Sequence, residues 1–331
     1  MKTQRRKGAI LFPMSKDMLV WDDHGCLPLE PGADISEIRR YARSGVDFVS
    51  INIGMDFNPW TGVVKTLASF RRWLGDRPDE FVLVGTADDV LRAKAERKLA
   101  VAFDLEGTDP LDGSLDMISL YYDLGVRQML MAYNAANRVG GGSMSEDAGL
   151  SDFGRQVVEE MNRVGMLVDC SHTGYRTTMD VMEASSAPVI FSHSNPRALW
   201  DHDRNIRDEQ IRACAETGGV VGINGVGIFL GENDTRSERV VDHVAYVAEL
   251  VGVEHVGLGL DYVFDQEELQ AFVREHPEVF PAGKSFDTIA FAAPEQVPEI
   301  AELLVARGFS EADTRAVLGE NWLRVARAVW K

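Results

Sequence analysis

The repeating unit of this sequence is shown by Gly165-Met166-Leu167-Val168-Asp169-Cys170, a nearly continuous apolar run that ends in polar residues. Continuous apolar runs of this length are typical of parallel strands that are buried on both faces. Working outward from this stretch, the same pattern recurs along the whole chain, at Met18–Trp21, Asp47–Ile53, Leu99–Leu105, Val126–Ala132, Ala187–Ser192, Gly219–Asn224 and His255–Leu260.

Amphipathic segments with helix start and stop residues separate these runs. Asp34 precedes a helix predicted over 35–44, and Ser151 precedes one that ends at Gly165. Thr235 precedes a third, which ends at Gly252. A strand followed by a helix, repeated about eight times, predicts a (β/α)8 barrel, the TIM-barrel fold. A doubly wound open sheet would give the same alternation with fewer strands.

The domain organisation follows from the regularity of this pattern. No linker or low-complexity segment interrupts it, so residues 1–331 are predicted to form one barrel domain. Only residues 266–298 break the rhythm of strand and helix. We expect this excursion to pack beside or over the mouth of the barrel.

Charge and cysteine content exclude several classes of protein. The 331 residues contain 34 Lys and Arg against 52 Asp and Glu, a net charge of −18 that disfavours nucleic acid or an anionic membrane as partner. Three cysteines (Cys26, Cys170 and Cys214) do not form a disulfide framework. The basic segment Met1–Lys7 is followed by too short an apolar stretch for a signal peptide, and no run approaches the roughly 18 apolar residues of a spanning helix. These features predict a cytoplasmic protein, and they leave open whether it is a homodimer.

Metal-ligating side chains follow several of the predicted strands. Because the carboxyl ends of barrel strands share one rim, such residues are expected to lie close together. Each has a more ordinary structural role when considered alone, but imidazole, carboxylate and thiolate are together the ligands that zinc and similar ions prefer. The pattern therefore favours a metal site built from residues at these strand ends, which are His24, Cys26, Glu106, His172, His193 and Asp261.

The order of these motifs resembles the renal or membrane dipeptidase family (peptidase family M19), a group of zinc-dependent, amidohydrolase-like barrels. The resemblance extends from Trp21 to about Val329. Its motifs are Asp22–Pro28, Asp104–Gly107, Gly125–Arg127, Gly149–Gly154, Leu167–His172, Ile190–Ser194, Asp203–Asp208, Val256–Asp261 and Gly319–Val325.

The resemblance implies a site with two zinc ions bridged by Glu106. The first ion would be held by His24 and by the residue two positions later, and the second by His172 and His193. Arg204 would contact the carboxylate of the substrate. Asp261 would handle the proton of the attacking hydroxide.

Two positions depart from the family pattern. Cys26 stands where the family has an aspartate, so either both ions bind with altered affinity or the first site is empty and one ion remains. Tyr133 stands where a family histidine polarises the scissile carbonyl. A tyrosine can donate a hydrogen bond to a developing oxyanion, but it cannot carry a positive charge.

The expected function is hydrolysis of an amide bond next to a free carboxylate, in a small-molecule substrate. Two alternatives remain open at this stage. The same barrel and metal site could serve a lactonase, a non-peptide amidohydrolase or a decarboxylase. The chain could also be a catalytically degenerate, metal-binding member of the family.

Overall fold

The fold is described by a computed structural model for residues 17–277, 280 and 289–331. The strands are β1 (Trp21–Cys26), β2 (Phe48–Met55), β3 (Phe81–Leu83), β4 (Leu99–Glu106), β5 (Val126–Leu130), β6 (Leu167–Asp169), β7 (Val189–Ile190), β8 (Val221–Ile223), β9 (Val256–Leu258) and β10 (Tyr262–Val263). The α-helices are α1 (Arg39–Arg43), α2 (Trp60–Gly75), α3 (Ala87–Ala95), α4 (Asp116–Asp123), α5 (Asp152–Val164), α6 (Tyr175–Ala184), α7 (Asp208–Glu216), α8 (Gly227–Leu230), α9 (Ser237–Val251), α10 (Gln266–Glu275), α11 (Val297–Arg307), α12 (Glu311–Arg315) and α13 (Asn321–Val329).

Eight of these strands form a parallel ring, which confirms the predicted (β/α)8 barrel. Their order is β7-β6-β5-β4-β2-β1-β9-β8, and a parallel bridge between Phe191 and Val221 joins the two ends. At least one helix separates each strand of the ring from the next one along the chain. The ring excludes the doubly wound open sheet, because such a sheet keeps two free edges.

The first strand lies later in the chain than the apolar pattern indicates. The run Met18–Trp21 is buried, but β1 begins at Trp21 and includes the polar residues Asp22, Asp23 and His24. These side chains are almost completely buried, so the pattern of apolar residues fails to identify them as strand. The short strands β3 and β10 were also missed. Both lie outside the ring, where they pair with β4 and β1.

Three helices were predicted from their start and stop residues, and the observed ends match the prediction in one of them and differ in the other two. The Ser151 hydroxyl accepts from the Gly154 N–H at 2.9 Å, and α5 ends at Gly165 with a φ of 96°. The helix predicted over 35–44 is instead a 3-10 turn followed by the five-residue α1. The helix expected directly after Thr235 begins at Ser237.

Large aromatic side chains close the bottom of the barrel. The rings of Trp21 and Phe48 stack with their centroids 3.7 Å apart, and Trp322 of α13 donates to the Leu258 carbonyl at 3.1 Å. Gly257 is required beside this tryptophan, since a Cβ there would lie 2.3 Å from its indole nitrogen. Apolar packing therefore fills the amino-terminal end and leaves the polar residues at the carboxyl ends of the strands.

The described part of the excursion lies over the mouth of the barrel. The Phe272 ring of α10 contacts the Phe57 ring, 5.5 Å between centroids, and Phe291 forms a backbone bridge with Val226. Residues 278–279 and 281–288 of the predicted excursion lie outside the described residues, as does the basic segment Met1–Lys7. Among the described helices, none has the length and apolar character needed to span a membrane.

Candidate metal-dependent active site

Glu106, the last residue of β4, lies at the centre of the predicted ligand residues. Its Oε1 is 3.4 Å from His24 Nε2 and its Oε2 is 3.4 Å from His172 Nε2. His193 Nε2 lies 2.9 Å from His172 Nε2. The barrel thus brings residues from four strand ends to one point, and the two oxygens of a single carboxylate face different histidines.

Cys26 and Asp261 lie beside His24 on one side of Glu106. The Cys26 sulfur is 3.5 Å from His24 Nε2 and 3.7 Å from Asp261 Oδ1. Asp261 Oδ1 is itself 3.6 Å from His24 Nε2, so this carboxylate also offers a ligand atom. We call His24, Cys26 and Asp261 the first half of the ligand cluster, and His172 and His193 the second half. Glu106 is common to both halves.

The donor atoms of this cluster fit a cation. The Asn134 Oδ1 oxygen can only accept, so its 2.8 Å contact assigns a proton to His172 Nδ1 and leaves a lone pair on Nε2. That lone pair faces a Glu106 oxygen. In the first half, a thiol and two carboxylates converge on one ring nitrogen of His24. Electron-rich atoms gathered in this way are the surroundings that a divalent metal ion requires.

The two halves differ in the electrostatics of their histidines. Burial lowers the pKa of His172 and His193 well below the usual value, and nearby His24 and Arg204 add to this effect. Burial also acts to lower the pKa of His24, but Asp104, Cys26 and Glu106 raise it well above 6.5. Without metal, the second half is therefore neutral while the first half holds a protonated imidazole.

Sequence reasoning missed the polar side chains that orient the ligands. Asn52 donates to Glu106 Oε1, Asp104 Oδ1 lies 3.3 Å from His24 Nδ1, and Asn224 donates to Asp261 Oδ2 at 2.9 Å. Such partners fix the ring or carboxylate that faces a metal. A signal for them was available, because Asn52 and Asp104 are polar residues inside otherwise apolar strand runs.

Three residues of the site have left-handed backbone conformations. The φ values of Asn134, His172 and Asp261 are 56°, 61° and 57°, in a region that residues other than glycine rarely occupy. Each of them follows the end of a barrel strand. Strain of this kind is found at functional sites, where the surrounding structure holds side chains in fixed positions.

Arg204 lies beside the second half and is only 2% exposed. Its guanidinium donates to the His193 carbonyl at 2.9 Å and to the Ser194 hydroxyl at 3.2 Å, while its Nε has no hydrogen-bond partner among the residues that the structure describes. The neighbouring Asp201 and Asp203 pair with Arg197. A buried guanidinium with a free N–H is suited to bind an anion.

Tyr133 lies on the opposite wall of the mouth, 8% exposed. Its ring stacks on His172 with the centroids 4.2 Å apart, and its backbone N–H donates to Asp56 at 2.9 Å. Burial and the nearby Glu106 and Asp261 raise the pKa of Tyr133 well above 10. The phenol therefore keeps its proton and can act as a hydrogen-bond donor.

Two cavities border the ligand cluster, and His172 lines both. The first, which we call the apolar cavity, has a volume of about 290 Å³ and is bordered by Cys26, Glu106, Tyr133 and Asp261. The second, the polar cavity, has a volume of about 420 Å³ and is bordered by Arg204. The Arg204 guanidinium is also close to the apolar cavity, since it lies 5.6 Å from the centre of the Phe229 ring, which borders that cavity.

The family model of membrane dipeptidase (peptidase family M19) matches residues 33–272. The chain belongs to this family. It is 36% identical over 246 residues to an uncharacterized dipeptidase of Schizosaccharomyces pombe, covering 67% of the chain and 59% of that protein. It is 31% identical over 256 residues to dipeptidase TcpJ of Claviceps purpurea, covering 76% of the chain and 56% of that protein.

A solved structure shows the same architecture over nearly the full length. The crystal structure of an amidohydrolase from Pseudomonas aeruginosa is 28% identical, with a TM-score of 0.86 over 95% of this chain and 97% of the other. The chain spans a little more than half of the length of these two dipeptidases.

Proposed function

We propose that this chain is a zinc-dependent dipeptidase of the membrane dipeptidase class, in which Glu106 would contribute ligand oxygens to a site for two ions. The observation that supports this most directly is the position of the Glu106 carboxylate, whose oxygens lie 3.4 Å from His24 and from His172. In this proposal His24 and Cys26 hold the first ion, and His172 and His193 hold the second. Divalent ions at such a site lower the pKa of water and polarise a carbonyl oxygen.

The proposed catalytic roles belong to Asp261 and Tyr133. Asp261 accepts a proton from the attacking water and returns it to the leaving amine, because its carboxylate lies within the ligand cluster and is held by Asn224. Tyr133 donates a hydrogen bond to the oxygen that becomes negatively charged, since its phenol stays protonated and faces the apolar cavity.

Arg204 is proposed to bind the carboxylate of the substrate. Its free Nε and its position in the polar cavity, beside His193, suit a carboxylate on the leaving side of the scissile bond. A guanidinium binds a carboxylate through two parallel hydrogen bonds, which also fixes the direction of the peptide. This explains why the proposed substrate is a small molecule with a free carboxylate.

The number of ions depends on Cys26. Burial raises the pKa of this thiol, so the cysteine must lose a proton to become a ligand. His24 and the thiolate would then form a softer site than an aspartate gives. We propose two ions, with the Cys26 site the weaker of the two near neutral pH because protons compete with the metal there.

We also propose a cytoplasmic location and a single barrel domain. The three cysteines of the chain are all unpaired, which suits a reducing compartment. The chain before the excursion forms the strands of the ring, and α13 after it packs on the same ring, where Trp322 donates to the Leu258 carbonyl. Cell fractionation with an antibody against the protein would test the location, and gel filtration with light scattering would decide between a monomer and a homodimer.

The experiment that tests the proposed function combines metal analysis with a substrate panel. Purified protein is dialysed against zinc or manganese, its metal content is measured, and hydrolysis of dipeptides, N-acyl amino acids and lactones is compared. We expect about two ions per chain and the highest kcat/KM for dipeptides. A preference for lactones, or metal-loaded protein that hydrolyses none of the panel, would refute the assignment.

A further inference from the structure

The apolar cavity has features that bear on which dipeptides the site accepts. Its walls include Leu29, Met55, Phe229, Leu269, Phe272 and Phe291, and none of its described lining residues is a lysine or an arginine. Four of these side chains belong to a hydrophobic cluster separate from the core of the barrel, namely Met55, Phe229, Phe272 and Phe291. Several are only partly buried, so they expose apolar surface to the cavity beside the catalytic residues.

The roof of the cavity, as far as the structure describes it, is formed by Leu269 and Phe272 of α10 together with Phe280. The Phe272 ring contacts Phe57 at 5.5 Å and Phe280 at 5.6 Å between centroids, and Phe57 in turn contacts the Tyr133 ring at 5.6 Å. These contacts connect the roof to a residue of the proposed site. The described residues of the excursion therefore contribute apolar surface to one wall of the cavity.

Charge at the entrance also favours a neutral, apolar occupant. The charged side chains that line the cavity away from the ligand cluster are Glu30, Asp265 and Glu268, which are all acidic. A carboxylate placed beside these three side chains would be repelled by them and would lose its water. A volume of about 290 Å³ is at the lower end of the range for ligand pockets, so the occupant must be small.

From these observations we infer that the apolar cavity selects dipeptides whose first residue has a bulky, uncharged apolar side chain. The inference rests on the proposed function, because in that function Arg204 binds the carboxylate of the second residue and leaves the apolar cavity to the side chain of the first. The side chain of the first residue is then the part of the substrate that enters the apolar cavity. An apolar side chain there buries hydrocarbon surface on both partners.

The test uses ligands that differ in polarity while keeping nearly the same shape. Phosphinate mimics of Xaa-Ala with Leu, Asn or Asp as Xaa are titrated calorimetrically into zinc-loaded protein, with Ala as the reference, and kcat/KM is measured for the corresponding dipeptides. We expect the Leu mimic to bind at least about tenfold more tightly than the Asn mimic, and the Asp mimic to bind most weakly. Equal affinities for Leu and Asn, or no binding of any mimic, would overturn the inference.

Two variants locate the preference in the roof. Leu269→Asn and Phe272→Ala should each lower the affinity for the Leu mimic by about threefold or more while leaving that for the Ala mimic within twofold. Leu120→Asn is the matched control, because Leu120 is 44% exposed on α4, outside the cavity. Equal losses for the Leu and Ala mimics in both roof variants would assign the selection elsewhere and contradict the inference.

The two proposals fail in different ways. Tight, Leu-selective binding without hydrolysis of the dipeptide would remove the proposed reaction and keep the assignment of the cavity. Hydrolysis of all four dipeptides with equal kcat/KM and equal affinity of their mimics would keep the reaction and remove the assignment.

Discussion

The two halves of the ligand cluster share Glu106 but offer very different surroundings to a metal ion. His172 and His193 are neutral imidazoles, because burial and nearby positive charge lower their pKa values. His24 and Cys26 lie among acidic groups and hold protons in the absence of metal, since the pKa values of both are raised. The second half can therefore bind a cation directly, whereas the first half must release protons before it does so.

The strongest test of this comparison is to remove what the halves share. Glu106→Ala should reduce bound zinc from about two ions per chain to nearly none and abolish measurable turnover, because the carboxylate faces both histidine sets. Metal content by mass spectrometry after dialysis checks this. Glu160→Ala, on the outer surface of α5, is the control, and unchanged stoichiometry in Glu106→Ala would mean that this residue bridges nothing.

The next largest effect is expected in the first half. Asp261→Asn should lower kcat by roughly two to four orders of magnitude with metal retained, the usual range for a positioned proton-transfer group. The amide keeps the shape and the oxygen of the side chain but cannot accept the proton. Steady-state kinetics together with metal analysis separate the two effects. Near-normal turnover in this variant would exclude Asp261 from the chemistry.

A smaller effect is expected from replacing Arg204, which lies beside the second half of the ligand cluster. Arg204→Met should raise KM by about ten- to a hundredfold for substrates with a free carboxylate, corresponding to the roughly 1.5–3 kcal/mol of a charge-assisted hydrogen bond. Substrates whose carboxylate is amidated should be much less affected. Comparing KM for each dipeptide and its amide gives the result. Equal losses on the two substrates would show that Arg204 does not bind the carboxylate.

The finest test concerns the proton that Cys26 must release. Wild-type protein should release about one proton more on zinc binding than Cys26→Ala, and its zinc affinity should fall about tenfold more per unit decrease in pH. The sign follows from the raised pKa of the thiol, which keeps it protonated at neutral pH. Calorimetry in buffers of different ionisation enthalpy counts these protons. The same number in both proteins would show that the first half binds no metal through sulfur.

Much of the site could be predicted because strand ends are recognisable in the sequence. Residues such as His172 and His193 follow apolar runs directly, and a barrel brings every strand end to one rim. The start of β1 could not be predicted in this way. Asp22, Asp23 and His24 are polar residues in a buried strand, and only their partners in neighbouring strands make that burial acceptable.

The contacts between the orienting residues and the ligands also could not be predicted from the sequence. Asn52 and Glu106 are 54 residues apart in the chain, and Asn224 and Asp261 are 37 apart. No local pattern connects the members of such pairs. They come together because the register between β2 and β4 places Asn52 beside Asp104, and because the loops after β8 and β9 meet at the rim.

The sequence by itself determined the class of fold and the chemical types of the ligands, since both follow from local properties: the period of apolar residues and the identity of side chains at strand ends. Tertiary structure alone decided the protonation of the two halves, because this depends on which charges burial brings near each histidine. It also decided the walls of the apolar cavity. Leu29, Phe229 and Phe272 are far apart in the chain, and only the closed ring and its roof give them a common surface.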